Sequence, residues 1–314
     1  MSDHRTPQDL IYALAVSPNF RMDGLCFAAR SSALYRSEDG AGNWYLAYSG
    51  LEPGTELPTT AVVFSTNFEK DRSVFAGVTG VVMRSFDAGE TWHYSPLASP
   101  PPIIAAMAVS PNYERDGTLL VGTIEDGVYR SEDRGLNWMA CNFGLTDLGV
   151  LSIAMSPDFA ADDTVYLGTE SGVFYSTNGG RAWKESGFPV DEAPVLCLGI
   201  SPEHKNDGFL WAGTESNGLF ISEDRADHWR RLAPDQISES VNGIVVSEDY
   251  PDYAGLLVLT SHSVLLSHDG GKSWCEWVEG LFVEESLVCM AAEADLEPGS
   301  VVLVATAFGR LMRL

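Results

Sequence analysis

Apolar residues occur along this chain in short runs that are separated by clusters of Gly, Pro, Asn, Asp and Ser. Residues 103–109, IIAAMAV, and residues 118–123, TLLVGT, are two such runs joined by a polar segment. Short runs of β-branched and aromatic residues bounded by turn residues are typical of β-strands. Since the pattern continues from one end of the chain to the other, it predicts an all-β protein made of many short strands.

One eight-residue segment, called the octet below, recurs six times. It begins with Ser, has Asp or Asn at its third position and ends with Trp, as in residues 131–138, SEDRGLNW. Successive octets begin 45 to 48 residues apart, a step typical of propeller blades. The third positions are Asp39, Asp87, Asp133, Asn178, Asp224 and Asp269. The final residues are Trp44, Trp92, Trp138, Trp183, Trp229 and Trp274.

The residue types of the octet suit a tight hairpin. Asp or Asn at the third position accepts hydrogen bonds from turn amides, and Gly at the fifth position, as in Gly89, supplies a positive φ. Ala41 and Ala226 depart from the pattern at that fifth position. The Trp supplies apolar area that locks the hairpin onto neighbouring structure. We therefore predict that the third-position residues are structural, rather than catalytic or metal-binding.

A second signature keeps the same step as the octet. It is a Ser-Pro turn with an apolar run on either side. Copies begin at Ser17, Ser110, Ser156 and Ser201, and looser copies begin at Ser65 and Ser247. Each repeat thus predicts four antiparallel strands, A to D, with this turn between A and B and the octet between C and D. Four short strands repeated every ~45 residues describe the blade of a β-propeller.

The octet resembles the Asp-box, also called the BNR repeat. The chain is therefore similar over nearly its whole length to the Asp-box propeller families: sialidases, xyloglucan-active glycoside hydrolases, the sortilin ectodomain and photosystem II assembly-factor propellers. The resemblance implies a propeller fold, with structural boxes that lie away from the binding face. It leaves the function open, because these families share a fold and differ in what they do.

The two ends of the chain predict a seventh blade. After Trp274, the runs 286–292, 301–306 and 311–314 match strands A, B and C of a further repeat. Residues 1–9 stand where a strand D would precede the first repeat. We predict one domain over 1–314, a closed seven-bladed ring whose last blade takes strands A to C from the C-terminus and strand D from the N-terminus. Closure removes the sheet edges that invite aggregation. The six octets leave a six-bladed ring as the alternative.

The charge of the chain narrows its partners. Among 314 residues, acidic side chains outnumber basic ones 44 to 19, which gives a net charge of −25. Nucleic-acid backbones and anionic membrane surfaces attract basic proteins, so we expect neither as a partner. A partner with a basic surface fits this charge.

The five cysteines form no Cys-x-x-Cys pair, so we expect no disulfide framework and no zinc site. No motif of a metal or cofactor site is present, and we expect no cofactor. The sequence shows no secretory signal and no apolar run of membrane-spanning length. We therefore expect a cytoplasmic protein that does not insert into membranes.

The candidate binding residues lie on the side of the ring that carries the loops from strand B to C and from D to A, called the loop face below. The Asp-box families bind their ligands on that face. Its loops are acidic here and carry apolar residues among the charges. The candidates for partner binding are Glu125, Asp126, Glu170, Glu215, Phe188 and Phe282.

The hypothesis that the protein is a glycoside hydrolase requires two carboxylates that flank a glycan. Asp147, Asp191 and Asp235 are candidates by their position in D–A loops alone. The sialidase reading fits less well, because Arg36, Arg84 and Arg130 all precede an octet and should point alike rather than converge. We therefore predict a non-catalytic interaction or assembly platform for a protein partner. The alternative is a glycan-binding or glycoside-hydrolase propeller, xyloglucanase-like rather than sialidase-like.

Overall fold

The computed structural model describes residues 9–48, 57–252, 255–281, 283–296 and 299–314. Their strands form seven separate antiparallel sheets, and in each sheet the strands follow chain order from first to last. The first strands of neighbouring sheets contact one another around the ring, and the seventh contacts the first. The protein is therefore a closed seven-bladed β-propeller, as predicted, and the six-bladed alternative is wrong.

Blades 1 to 4 each contain four strands. Blade 1 consists of β1 (Ile11–Val16), β2 (Cys26–Arg30), β3 (Leu34–Ser37) and β4 (Tyr45–Leu46). Blade 2 consists of β5 (Thr59–Phe64), β6 (Val74–Val78), β7 (Val81–Ser85) and β8 (His93–Pro96). Blade 3 consists of β9 (Ile104–Val109), β10 (Leu119–Thr123), β11 (Val128–Ser131) and β12 (Met139–Ala140). Blade 4 consists of β13 (Val150–Met155), β14 (Val165–Thr169), β15 (Gly172–Ser176) and β16 (Lys184–Glu185).

The remaining three blades complete the ring. Blade 5 consists of β17 (Val195–Ile200), β18 (Leu210–Thr214), β19 (Leu219–Ser222) and β20 (Arg230–Leu232). Blade 6 consists of β21 (Val241–Val246), β22 (Leu256–Thr260), β23 (Val264–Ser267) and β24 (Cys275–Glu276). Blade 7 consists, within the described ranges, of β25 (Leu287–Ala292), β26 (Val302–Thr306) and β27 (Leu311–Arg313).

The predicted fourth strand of blade 7 falls on residues that lie outside the described part of the chain, apart from Asp9. The carbonyl of Asp9 lies against Gly309 in the turn between β26 and β27, so the described chain begins beside blade 7. At the other end, the Arg313 guanidinium donates to the carbonyl oxygen of Gly40 in blade 1 at 2.8 Å. Blades 7 and 1 are thus joined by side-chain contacts as well as by the neighbouring strands β25 and β1.

The turns after the first strands of blades 1 to 5 contain one-turn helices, where the sequence predicted turns alone. They are α1 (Phe20–Asp23), α2 (Phe68–Asp71), α3 (Tyr113–Asp116), α4 (Phe159–Asp162) and α5 (His204–Asp207). In α1 the Ser17 hydroxyl donates to Asp23 at 2.8 Å, and the amide of Leu25 donates to the same carboxylate at 2.9 Å. The Ser-Pro signature therefore encodes a turn that is closed by its own side chains. A 3-10 turn, Val190–Glu192, lies between blades 4 and 5.

The hydrophobic core is divided among the interfaces between blades rather than gathered at one centre. Each of these buried clusters contains residues from two neighbouring blades, because a four-stranded sheet buries its faces against the neighbouring sheets. Trp211 of β18 is completely buried in this way between blades 5 and 6. None of the helices among the described residues is long and apolar enough to cross a membrane.

His204, the first residue of α5, is buried between blades 4 and 5. Its Nδ1 lies 3.1 Å from the carbonyl oxygen of Phe209, and its Nε2 lies 3.0 Å from the hydroxyl of Tyr166. Because a carbonyl oxygen only accepts, Nδ1 carries the proton and the Tyr166 hydroxyl donates to Nε2. Burial lowers the pKa of His204 from its ordinary value, so the folded protein holds this ring neutral.

We expect the free energy of unfolding to fall as the pH drops below about 6.5, the pKa of an unfolded histidine. The unfolded state then takes up a proton that folded His204 resists, and one such group changes the free energy of unfolding by at most about 1.4 kcal/mol per pH unit. Urea unfolding from about pH 7 to about pH 5 measures how the free energy of unfolding depends on pH in the wild type and in His204→Gln. The Gln amide still accepts from Tyr166, and equal pH slopes in both proteins would contradict the assignment.

Candidate functional site

The octets form tight hairpins on the face opposite the loop face, called the octet face below. In blade 3 the Ser131 hydroxyl donates to the Asp133 carboxylate at 2.8 Å and accepts from the amide of Gly135 at 2.9 Å. The amide and side chain of Asn137 donate to the same carboxylate at 2.9 and 2.7 Å. The other five octets repeat the serine contact and the amide contact to the third residue.

These contacts occupy the acidic groups of the octets. The amide and side chain of Asn43 lower the pKa of Asp39 to about 2, and the side chain and amide of Ser273 lower the pKa of Asp269 to about 2. A carboxylate that stays ionised at neutral pH is a poor general acid, and these hydrogen bonds hold it within its own turn. This geometry supports the structural role that the sequence predicted for the octets.

The backbone of each octet is left-handed at two successive positions, whereas the sequence predicted one. Arg134 and Gly135 have φ of 63° and 77°, and Arg225 and Ala226 have φ of 60° and 72°. Ala41 and Ala226 therefore keep the hairpin conformation, with φ of 72° in both, where a departure was expected. The amides of both alanines bond to the octet serine, as the glycine amides do, and this contact holds them in a conformation that alanine normally avoids.

In blades 1 to 3, the arginine that precedes the octet connects the blade to the octet of the next blade. Arg36 and Arg130 donate from Nε to the carbonyl oxygens of Ala88 and Gly179, at 2.9 and 2.7 Å. Arg84 approaches the carbonyl of Arg134 at 3.5 Å. Each acceptor is the fourth residue of the following octet, so these arginines point alike in successive blades, as expected. Their contacts join neighbouring blades of the ring.

The loop face carries the predicted partner-binding residues. Glu125 and Asp126 are exposed in the turn between β10 and β11, and Glu215 is exposed in the turn between β18 and β19. Asp191 and Asp235 are exposed in the loops that follow blades 4 and 5. Phe282 lies outside the described residues. Among the described residues of all the loops on this face, the basic ones are Arg310 and His262, so the charge of the face is strongly negative.

Three of the predicted residues come together in one groove of 610 Å³ on blade 4. Asp147 and Glu170 contribute carboxylates to its lining, and Phe188 contributes apolar surface together with Phe174. Asp191 and Asp235 do not line it, so the structure does not gather the three predicted catalytic carboxylates. The residues lining the groove are Thr146, Asp147, Leu148, Glu170, Ser171, Val173, Phe174, Glu185, Ser186, Phe188 and Val190.

The Asp147 carboxylate is held in place by the backbone. The amide of Gly149 donates to one oxygen at 2.9 Å, and the amide of Ser171 donates to the other at 2.7 Å. Burial raises the pKa of Asp147, but the hydrogen bonds outweigh this effect, and the pKa lies below its ordinary value. Asp147 therefore presents a fixed negative charge at neutral pH and is a poor general acid.

Exposed apolar side chains, which the sequence did not predict as binding residues, extend from the groove across blade 3. Ile103, Ile124, Leu148 and Val190 are each more than a third exposed. The amide of Ile124 bonds to the carbonyl of Ile103 at 3.1 Å, so these two residues from different loops are neighbours. A surface that mixes apolar patches with charge is typical of protein-binding sites. Among the described residues, no group of three metal-ligating side chains could hold a metal ion.

Known structures share this fold. A GH74 xyloglucanase from Xanthomonas campestris aligns with 98% of this chain, with a TM-score of 0.73 and 17% sequence identity. YCF48 bound to D1 peptide aligns with 98% of this chain and 94% of its own, with a TM-score of 0.69 and 17% identity. YCF48 from Cyanidioschyzon merolae aligns with a TM-score of 0.68 and 15% identity, over 99% of this chain and 97% of its own.

These similarities establish the propeller fold that the resemblance implied, and at such low identities they establish the fold alone. This chain spans 52% of the xyloglucanase, about half its length. No protein-family model matches the sequence, and no curated protein matches it either.

Proposed function

We propose that this propeller is a non-catalytic platform that binds a protein partner with a basic surface on its loop face. The observation that carries the proposal is the groove on blade 4, where a backbone-anchored carboxylate, further acidic residues and apolar side chains share one surface. Acidic residues of blades 3 and 5 surround this groove. The negative electrostatic potential of these residues attracts a basic partner and speeds its association.

Similarity to a peptide-bound propeller supports a protein ligand. YCF48 is bound to D1 peptide in the structure that aligns here, and its length nearly matches that of this chain. The five cysteines are unpaired, which suits the reducing conditions of the cytoplasm. Glycan processing is the alternative function, because the GH74 xyloglucanases share the fold, although this chain aligns with only 52% of their length.

The proposal is tested with two arrays, one of short peptides graded in net charge and one of xyloglucan oligosaccharides. We expect binding to basic peptides that weakens as salt rises. The variant Glu125→Gln/Asp126→Asn/Glu215→Gln should slow peptide association, because rim charges act mainly on the association rate.

The matched control removes the same charge from the octet face, in Glu69→Gln/Glu90→Gln/Glu248→Gln. All three of these side chains are exposed, and their loss should leave the association rate nearly unchanged. Binding or hydrolysis of the oligosaccharides without peptide binding would overturn the proposal. If both triple variants slowed peptide association equally, the binding site could not be assigned to the loop face.

A further inference from the structure

We infer that the groove on blade 4 is the specificity pocket of the platform and takes an arginine side chain, with its flanking backbone, from the partner. This inference rests on the proposed function and adds the chemistry of recognition to it. The groove, at 610 Å³, is within the range of roughly 300–1,000 Å³ of sites that enclose a ligand. The groove is therefore large enough to take a whole side chain with its flanking backbone.

The charges in the groove are all of one sign. Asp147, Glu170 and Glu185 are the charged residues of its lining, and none of the described residues that line it is basic. The ion pairs found among the described residues do not include any of these three carboxylates. A cation that enters the groove thus meets carboxylates with lone pairs still available to accept hydrogen bonds.

The hydrogen bonds already present restrict how that cation is bound. Asp147 receives one backbone amide on each oxygen, and Glu185 accepts from the Thr146 hydroxyl at 2.8 Å. These contacts fix the direction of the carboxylates before a ligand arrives. Fixed acceptors suit the planar guanidinium, whose N–H donors form a rigid fork, better than the rotating ammonium of lysine.

The apolar part of the groove fits the rest of an arginine side chain. Phe188 is held from behind by Phe220 and Trp229, with ring centroids 5.2 and 5.4 Å away. Val190, 64% exposed, stands at the edge of the groove. Arginine buries its aliphatic stem against such surfaces while its charged head binds the acceptors, so both halves of the lining are used by one side chain.

The same groove disfavours a metal ion. Metal binding requires several carboxylates that converge on one point, and no such group of side chains occurs among the described residues. The aromatic and aliphatic lining would remain unused by a hydrated cation. An arginine-containing segment is the occupant that matches both the charge and the shape.

The test uses three fluorescent peptides of otherwise identical Gly/Ser sequence, which carry one central arginine, lysine or citrulline. Citrulline keeps the shape of arginine and lacks its charge. We expect the full-length chain to bind the arginine peptide most tightly and the citrulline peptide least. Glu170→Gln should lower the affinity for the arginine peptide about ten-fold, mainly through faster dissociation.

The matched control is Glu69→Gln, an exposed charge on the octet face, which should change the affinity by about two-fold or less. Val190→Arg places a competing guanidinium at the groove and should abolish the preference for arginine. Unchanged thermal midpoints confirm that these surface variants fold. If basic peptides bind but Glu170→Gln has no effect, the groove proposal fails and the platform remains. If no basic peptide binds, both fail.

Discussion

Replacing Arg130 with Met is expected to lower the free energy of unfolding by about 3 kcal/mol. The Arg130 side chain is only 4% exposed, and its guanidinium contacts the carboxylate of Glu132. Its Nε donates to the buried carbonyl of Gly179 in the next blade at 2.7 Å. Methionine keeps the apolar stem but leaves this carbonyl without a donor. The thermal midpoint should fall by roughly 5 °C for a chain of this length.

Arg181→Met provides the control for this prediction. Arg181 pairs with the same Glu132 carboxylate, but its side chain is 47% exposed, and exposed pairs contribute at most about 1 kcal/mol. A large loss for Arg130→Met with a small loss for Arg181→Met would place the effect in the contact between blades 3 and 4. Equal losses would contradict that explanation.

Replacing Trp211 with Ala is expected to lower the free energy of unfolding by about 4 kcal/mol. The indole is completely buried between blades 5 and 6 and packs edge-on against Tyr250, with ring centroids 5.2 Å apart. Alanine leaves a cavity at the interface between blades 5 and 6, which has its own hydrophobic cluster. Urea unfolding with two spectroscopic probes measures the loss and tests whether the ring unfolds as one unit.

Trp211→Phe separates the loss of volume from the loss of the indole N–H. Trp211 Nε1 is buried and has no acceptor among the described residues, so phenylalanine removes an unpaired donor and retains most of the aromatic packing. We expect it to lose less than half as much stability as Ala. A loss as large as that of Ala would show that the indole N–H has a partner.

Both substitutions act at contacts between blades, and the sequence predicted these contacts only in part. The sequence identified Arg130 as part of a repeated position, and the structure showed that this position reaches the following octet. At the same position blades 4, 5 and 6 have Tyr175, Ile221 and Leu266. The arginine contact is therefore one of several ways to join neighbouring blades, and the repeat spacing alone does not reveal it.

The sequence determined the number of blades because a propeller blade is a local unit. Its four strands are consecutive in the chain, and the turns between them depend on residues two to six positions apart, such as Ser17 with Asp23 or Ser131 with Asp133. Interactions at such short separations leave a repeated signature. The last blade was predicted for the same reason, since residues 311–314 match the end of strand C in the other repeats.

The binding surface was predicted as a set of acidic loops, and only the tertiary structure selected among them. Asp147 and Glu170 belong to different loops, and they meet because the amides of Gly149 and Ser171 orient one of these carboxylates. Asp191 follows Val190 directly, yet Val190 lines the groove and Asp191 does not. Loop side chains have no period that fixes their direction, so their grouping depends on contacts between separate loops, such as that of the Ser171 amide with Asp147.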